Sequence, residues 1–289
     1  MIVPKLTTCL FVSDLHGHLH KYESLFKSIV SRRPGIVFIG GDYLPSGFLP
    51  GAAQPRDFVD GFLIPGLKSV RATLAERYPA IFLIMGNDDE RAEEHMALTM
   101  EREGLLQYVH DKMVGIESFQ ICGYSYVPPT PFLLKDWERY DVSRYVDPGS
   151  VSPEDGRVSV AISHRERRLL TIKADLERLT GEGSLERTVF LFHAPPHDTC
   201  LDRADLDGVR VEGVQLDLHV GSIAIRRFIE TRQPLLSLHG HIHESARLSG
   251  SWRDRIGRTH LFSAAHDGPE LSLISFDLED LENARRDLI

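Results

Sequence analysis

The sequence predicts an α/β protein. Five short apolar runs of strand length recur along the chain, and stretches of helical period lie between several of them. Each run stops at Asp, Asn or His, the residue types that hold metals. Strands alternating with helical stretches are the pattern of an open α/β sheet, in which ligands gather beyond the carboxyl ends of the strands.

Residues 9–12, Cys-Leu-Phe-Val, are the first strand, which delivers Asp14 and His16 to its end. Two positions apart, these side chains face one way in an extended chain and can still converge in the turn that follows. Residues 19–31 set Leu19, Tyr22, Leu25, Phe26, Ile29 and Val30 at helical spacing, and Pro34-Gly35 stops that helix. Residues 36–39 are the second strand and run into Gly40-Gly41-Asp42, where glycine lets the backbone turn sharply beside a ligand. Residues 43–66 begin rich in Pro and Gly and then carry Phe58, Phe62, Leu63 and Ile64. An irregular loop of that length belongs at the rim of a site. Residues 70–78 are helical, Pro79 ends them, and residues 81–85 form a third strand that closes in Gly86-Asn87-Asp88-Asp89.

Residues 91–103 make a helix closed by Gly104, and residues 106–126 read as short strands in a meander. The prolines of 127–132 exclude a central strand, because they cannot donate a ladder hydrogen bond. Residues 133–157 have no clean period, so 127–160 is an irregular insertion placed to cap the site. Residues 163–179 are an amphipathic helix. Residues 188–192 are the fourth strand, ending in His193-Ala194-Pro195-Pro196-His197. Residues 218–231 are helical, and 235–238 form the fifth strand, ending in His239-Gly240-His241-Ile242-His243. Residues 246–248, 259–263 and 271–276 read as sheet. With no internal repeat, residues 1–289 make a single domain.

Composition narrows the function. The 42 % hydrophobic and 26 % charged content is that of a folded globular chain. No window reaches the roughly 18 apolar residues of a membrane span, and Met1 to Leu6 lack the basic and apolar parts of a secretory signal. The expected compartment is the cytoplasm. Cys9, Cys122 and Cys200 have no paired spacing, which argues against a disulfide framework or a zinc ribbon. A net charge of -9 disfavours extended nucleic-acid binding. A small anionic substrate stays compatible with it, because bound cations reverse the local field. The oligomeric state is open, a homodimer included.

Strand ends collect Asp14, His16, Asp42, Asn87, His193, His241 and His243, all oxygen or nitrogen donors. Such a set suits Mn, Fe, Zn, Co or Ni better than Ca or Mg alone. The ordered blocks Asp14-x-His16, Gly41-Asp42, Gly86-Asn87, His193 and Gly240-His241-x-His243 resemble the calcineurin-like metallophosphoesterase superfamily, over most of the chain from about Phe11 to beyond Ile242. The resemblance implies a four-layer α/β/β/α sandwich of two mixed sheets flanked by helices. It implies two divalent metal ions, with Asp14, His16 and His243 on the first, Asn87, His193 and His241 on the second, and Asp42 between them. It also implies hydrolysis of a phosphodiester or small phosphomonoester by attack of a metal-bridging hydroxide.

Many members follow the Asn with a His that helps protonate the leaving oxygen, and here Asp88 takes that place. A carboxylate serves as an acid only if its pKa is raised, which a dicationic pair opposes. Members that differ at this place resemble phosphodiesterases of broad substrate range, which favours a diesterase. Besides Asp88, the candidate acids are His18, His197 and His239, with His239 equally suited to orienting a metal ligand. Tyr124, Tyr126 and Trp137 are packing residues or a stacking surface for a base or aromatic leaving group. Arg165, Arg167 and Arg168, interleaved with Glu166, read as a solvated helix face. A non-catalytic scaffold on the same fold would be free to lose ligands, yet all seven are present. A nuclease is disfavoured by the acidic charge and the lack of a basic stripe.

Overall fold

The computed structural model describes residues 7–45 and 54–289. Alternating burial organises its layers. In β1 (Thr8–Val12) Cys9 and Phe11 point to one side and Leu10 and Val12 to the other. The same alternation divides β2 (Ile36–Gly40) into Ile36 and Phe38 against Val37 and Ile39. Both faces are apolar, so both have to be covered. Helices cover one: α1 (Leu19–Arg32), α2 (Pro55–Phe58) and α3 (Ile64–Leu74), with Tyr22 of α1 against Phe58 at 5.2 Å between ring centroids.

Next come β3 (Ala80–Ile84), α4 (Glu94–Arg102) and the two-residue β4 (Gln107–Tyr108). A hairpin of β5 (Lys112–Ile116) and β6 (Phe119–Tyr124) leads to α5 (His164–Leu169), α6 (Ile172–Thr180) and β7 (Thr188–Phe192). A small ribbon of β8 (Arg210–Val211) and β9 (Val214–Gln215) precedes α7 (Ile223–Arg232), β10 (Leu236–His239) and α8 (Ser245–Ser249). The chain closes through β11 (Arg253–Ile256), β12 (Thr259–Ser263), β13 (Ser272–Asp277) and β14 (Asp280–Leu288).

One sheet has the order β14-β13-β1-β2-β3-β4 and the other β11-β12-β10-β7-β6-β5. Both are mixed: β1, β2 and β3 run parallel, as do β6, β7, β10 and β12, with antiparallel strands added at the margins. Phe11, Phe38 and Phe82 of the first sheet face Ile121, Leu191, Leu238 and Phe262 of the second. Phe262 meets Phe276 across the layers at 5.6 Å. Burying each such ring stabilises the fold by roughly 1.5 to 3 kcal/mol. With α6 and α7 behind the second sheet, where Phe228 packs on Phe190 at 5.0 Å, this is the expected four-layer sandwich. Among the described residues no helix is long and apolar enough to cross a membrane.

Four elements differ from the sequence expectation. From Pro55 onward the rim loop of 43–66 is helical, α2 running through a π-helical turn at Val59–Leu63 into α3. The widened turn accommodates Pro65, whose ring would clash with a carbonyl in regular α-helix. Residues 46–53 of that loop lie outside the described residues. The helix of 163–179 is two helices, because Leu170 and Thr171 are extended and the Thr171 side chain caps a new start by accepting from Ala174 N. The helix of 218–231 begins only at Ile223, where Ser222 Oγ caps it and the Asp141 carboxylate accepts the Ile223 and Ala224 N–H groups. Residues 246–248 are in helix α8, which Gly250 stops in the left-handed conformation.

Apart from isolated bridges, residues 127–160 form no helix or strand, and they lean on the loop after β3. Asp136 accepts from Arg91 N at 2.8 Å, and Arg157 pairs with Glu90 at 2.9 Å.

Candidate metal centre

Four of the seven predicted ligands have left-handed backbone: Asp14 (φ 57°), His16 (φ 45°), Asp42 (φ 49°) and His241 (φ 74°). Such conformations cost non-glycine residues roughly 1 to 3 kcal/mol each and survive only where neighbours over-determine them. Here the turns after β1 and β2 hold each other, with Asp14 N bonded to Gly41 O (3.1 Å) and His16 N to Asp42 O (2.8 Å). Gly86 lets the turn after β3 close on the same point, since a Cβ there would stand 2.1 Å from Asp42 Oδ1.

The sheets bring seven side chains to this edge in two groups that share carboxylates. In one, His16 Nε2 and His243 Nε2 are 3.3 Å apart, and His243 Nε2 is 3.3 Å from Asp14 Oδ1. In the other, His193 Nε2 faces Asn87 Oδ1 at 3.0 Å and Asp42 Oδ2 at 3.2 Å. Asp42 Oδ2 lies 3.9 Å from His16 Nε2, so this carboxylate stands between the groups. The His241 N–H donates to both oxygens of Asp14, and its ring lies 5.2 Å from that of His193.

The donor set fits a pair of divalent ions. His193 Nδ1 faces Gly40 O (2.8 Å) and Nε2 faces Asn87 Oδ1 (3.0 Å), so each ring nitrogen has an acceptor that favours the protonated imidazolium. Burial alone would drive the second proton off, but the charge and hydrogen bond of Asp42, helped by Asp14 and Gly40, lift His193 to about 10. Burial likewise opposes ionisation of Asp14 and Asp42, yet the surrounding histidines hold both below the usual carboxylate range. His241 is pushed down to about 3 by burial and by the charge of His193. A proton held on His193 would compete with a cation for its Nε2. Metal uptake has to release at least that proton, so the affinity for Mn²⁺ is expected to rise about tenfold per pH unit between about pH 6 and 8. Calorimetry in buffers of different ionisation enthalpy checks this, and pH-independent binding without proton release contradicts it.

The remaining candidates divide. Asp88 is at the cluster, its Oδ2 3.8 Å from His16 Nδ1 and its N–H on Asp42 Oδ1. Burial and the nearby Asp42 raise its carboxyl to about 7. His18 is the N-cap of α1, two residues from His16. His197 pairs with Asp217 at 3.3 Å. His239 is not brought to the cluster: it is buried against Phe192, with Nδ1 on Ala194 O and Nε2 on Ser237 Oγ. Tyr124, Tyr126 and Trp137 are buried and pack together. Arg167 donates to the carbonyls of Pro153, Glu154 and Gly156, tying α5 to the insertion.

Sequence reasoning passed over Asp89. Buried beneath the centre, it accepts from Gly86 N (2.9 Å), Leu44 N (2.9 Å) and Tyr43 N (3.3 Å), clamping the turn after β3 to the turn after β2. Its only signal in the sequence is a second carboxylate directly after Asp88. Asp89→Ala leaves three buried N–H groups unpaired and frees both turns. It is expected to weaken metal binding about 10- to 100-fold, read by metal titration, and unaltered affinity would rule the clamp out.

The family profile of calcineurin-like phosphoesterases matches residues 7–245. Among solved structures, the chain is similar to the TT1561 protein of Thermus thermophilus, with 16 % identity and a TM-score of 0.55 over 98 % of this chain and 99 % of that one. It is also similar to a dimetal phosphatase from Danio rerio, with 14 % identity and a TM-score of 0.48 over 93 % and 92 % of the two chains. No individually curated protein matches. The chain belongs to the calcineurin-like phosphoesterase family, metal-dependent phosphoester hydrolases that work with a pair of divalent ions.

Proposed function

We propose that the protein hydrolyses phosphodiesters in preference to small phosphomonoesters. The observation that carries the hydrolase part of this reading is Asp42 standing between His16 and His193, with Asp14 and His243 on one side and Asn87 on the other. Asp14, His16 and His243 would hold one ion, Asn87, His193 and His241 the second, and Asp42 both. Bound there, the pair supplies positive charge opposite the phosphoryl oxygens and lowers the pKa of water in the site.

The side chains do the rest by position. The Nδ1–H bond to Gly40 fixes the His193 ring so that Nε2 faces the centre. Asn87 offers a carbonyl oxygen without adding negative charge, which keeps the loaded centre attractive to phosphate. Asp88 supports the diester preference, because its carboxylate beside His16 repels a dianionic monoester more than a monoanionic diester. For the leaving oxygen's proton the candidate is His18, the N-cap of α1, two residues from His16.

The test is metal-depleted protein reloaded with Mn, Ni or Zn and assayed on bis(p-nitrophenyl) phosphate and p-nitrophenyl phosphate. Faster turnover of the diester is expected. No turnover of either by protein carrying two ions per chain would refute the reading.

A further inference from the structure

Outside the metal centre, the loop from β7 to α7 gathers a second set of imidazoles and carboxylates. His197 and Asp198 come from its start, Asp217 and His219 from its end. His197 Nε2 stands 3.3 Å from Asp217 Oδ2, and His219 Nε2 stands 3.9 Å from Asp198 Oδ1. The two rings are 6.0 Å apart between centroids. The metal centre shows comparable spacings, with His–Asp pairs at 3.2, 3.3 and 3.9 Å and ring pairs at 5.1 and 5.2 Å. Donors about 2.1 Å from a tetrahedral zinc ion are about 3.4 Å from one another, so the loop's pairs are close to what a single ion imposes.

The loop is braced around these donors. Asp202 is fully buried and accepts from Asp198 N (3.0 Å), Thr199 N (2.9 Å) and Gly221 N (3.1 Å), which ties the start of the loop to its end. It also faces His219 Nδ1 at 2.8 Å. A carboxylate only accepts, so the proton of the neutral ring sits on Nδ1 and leaves Nε2 free to ligate. A carboxylate behind the ring is how metal-bound histidines have their tautomer and orientation fixed. His197 N donates to Ser222 O (3.0 Å) and His219 N to Asp217 Oδ1 (2.9 Å), pinning the backbone on both sides. The His197 and His219 side chains are 27 % and 30 % exposed, which leaves an ion a way in. Asp217 and Asp198 are more exposed and can turn onto it. Asp198 meets Arg226 Nη1 at 3.5 Å, whereas among the described residues Asp217 pairs with no guanidinium.

We propose that His197, His219 and Asp217 form a further metal site, outside the paired centre, that takes one zinc ion with Asp198 as the fourth donor. Two imidazoles with carboxylate oxygens suit a borderline divalent ion, and tetrahedral zinc needs no more than these four. The bound ion cross-links the two ends of a loop that also touches the rim of the centre, where Asp205 N donates to Glu244 Oε1 (3.1 Å) beside the ligand His243. The site does not depend on what the centre hydrolyses.

The test uses the metal alone. Wild type, Asp217→Asn and His197→Ala are dialysed against buffered micromolar zinc, and the zinc bound per chain is measured. Wild type should hold one ion per chain more than either variant. Asp217 is exposed, so Asp217→Asn should keep the wild-type melting temperature even if His197→Ala does not fold. In zinc-soaked crystals of the wild type, anomalous scattering should place the additional ion between the His197 and His219 rings. Zinc content in Asp217→Asn or in folded His197→Ala equal to that of wild type, or an additional ion seated away from both rings, would overturn the site.

Discussion

Asp42→Asn is expected to lower kcat/KM by roughly a thousandfold or more, about 4 kcal/mol of transition-state stabilisation, and to remove at least one ion from the purified protein. Asp42 is the carboxylate that reaches both histidine groups, 3.9 Å from His16 and 3.2 Å from His193. The amide keeps the size of the side chain and an acceptor for the Asp88 N–H, so the turn after β2 retains its shape. What it loses is the charge that offsets two divalent ions at close range. The fold is expected to survive, and the loss should appear in metal content and in kcat/KM together. A variant that retains both ions and works within tenfold of wild type would show that Asp42 is not shared between them.

The part of this centre that was legible in the sequence is the part written in single strands. The runs at residues 9–12, 36–39 and 188–192 are apolar on both faces because helices cover one face and the other sheet covers the second, so they read as unbroken apolar strings. Their ends had to be polar, and donors at five such ends were visible without coordinates. Interactions between distant segments were not legible. Asp89 accepts from Leu44, 45 residues earlier, and no local pattern encodes that bond. From the sequence His239 was a candidate acid or a residue that orients a metal ligand. Along β10, however, residues 237 and 239 share one face, so the His239 ring bonds Ser237 behind the sheet while His241 lies past the strand's end. In the stretch 244–249, Ala246 and Leu248 satisfy strand alternation, but the left-handed Gly250 ends a helical turn. Short apolar pairs do not distinguish the two periods.

Lys135→Met is expected to destabilise the protein by about 3 to 5 kcal/mol at pH 8. The Lys135 and Glu138 side chains are both 0 % exposed, and they pair inside the insertion. Lys135 Nζ also donates to Thr130 O at 2.8 Å, and Glu138 accepts from Thr130 N and Oγ1. The network thus closes residues 130–138 into one unit, whose Asp136 holds the Arg91 N–H beyond β3. Removing the ammonium leaves a buried carboxylate with no counter-charge, which costs far more than the intact pair contributes. Burial already raises Glu138 to about 7 despite Lys135 and Thr130, and losing Lys135 raises it further. An acid with a raised folded pKa binds more protons in the native state than in the unfolded state between the two values. Stability in that window therefore falls as pH rises, beginning near the unfolded value of about 4.5. The deficit of the variant should be smaller at pH 5.5, where Glu138 is protonated in the folded state, than at pH 8. Denaturant unfolding at the two pH values measures it, and Lys135→Met combined with Glu138→Leu should recover most of the loss. Equal deficits at both pH values would mean that the buried charge of Glu138 is not what the lysine compensates.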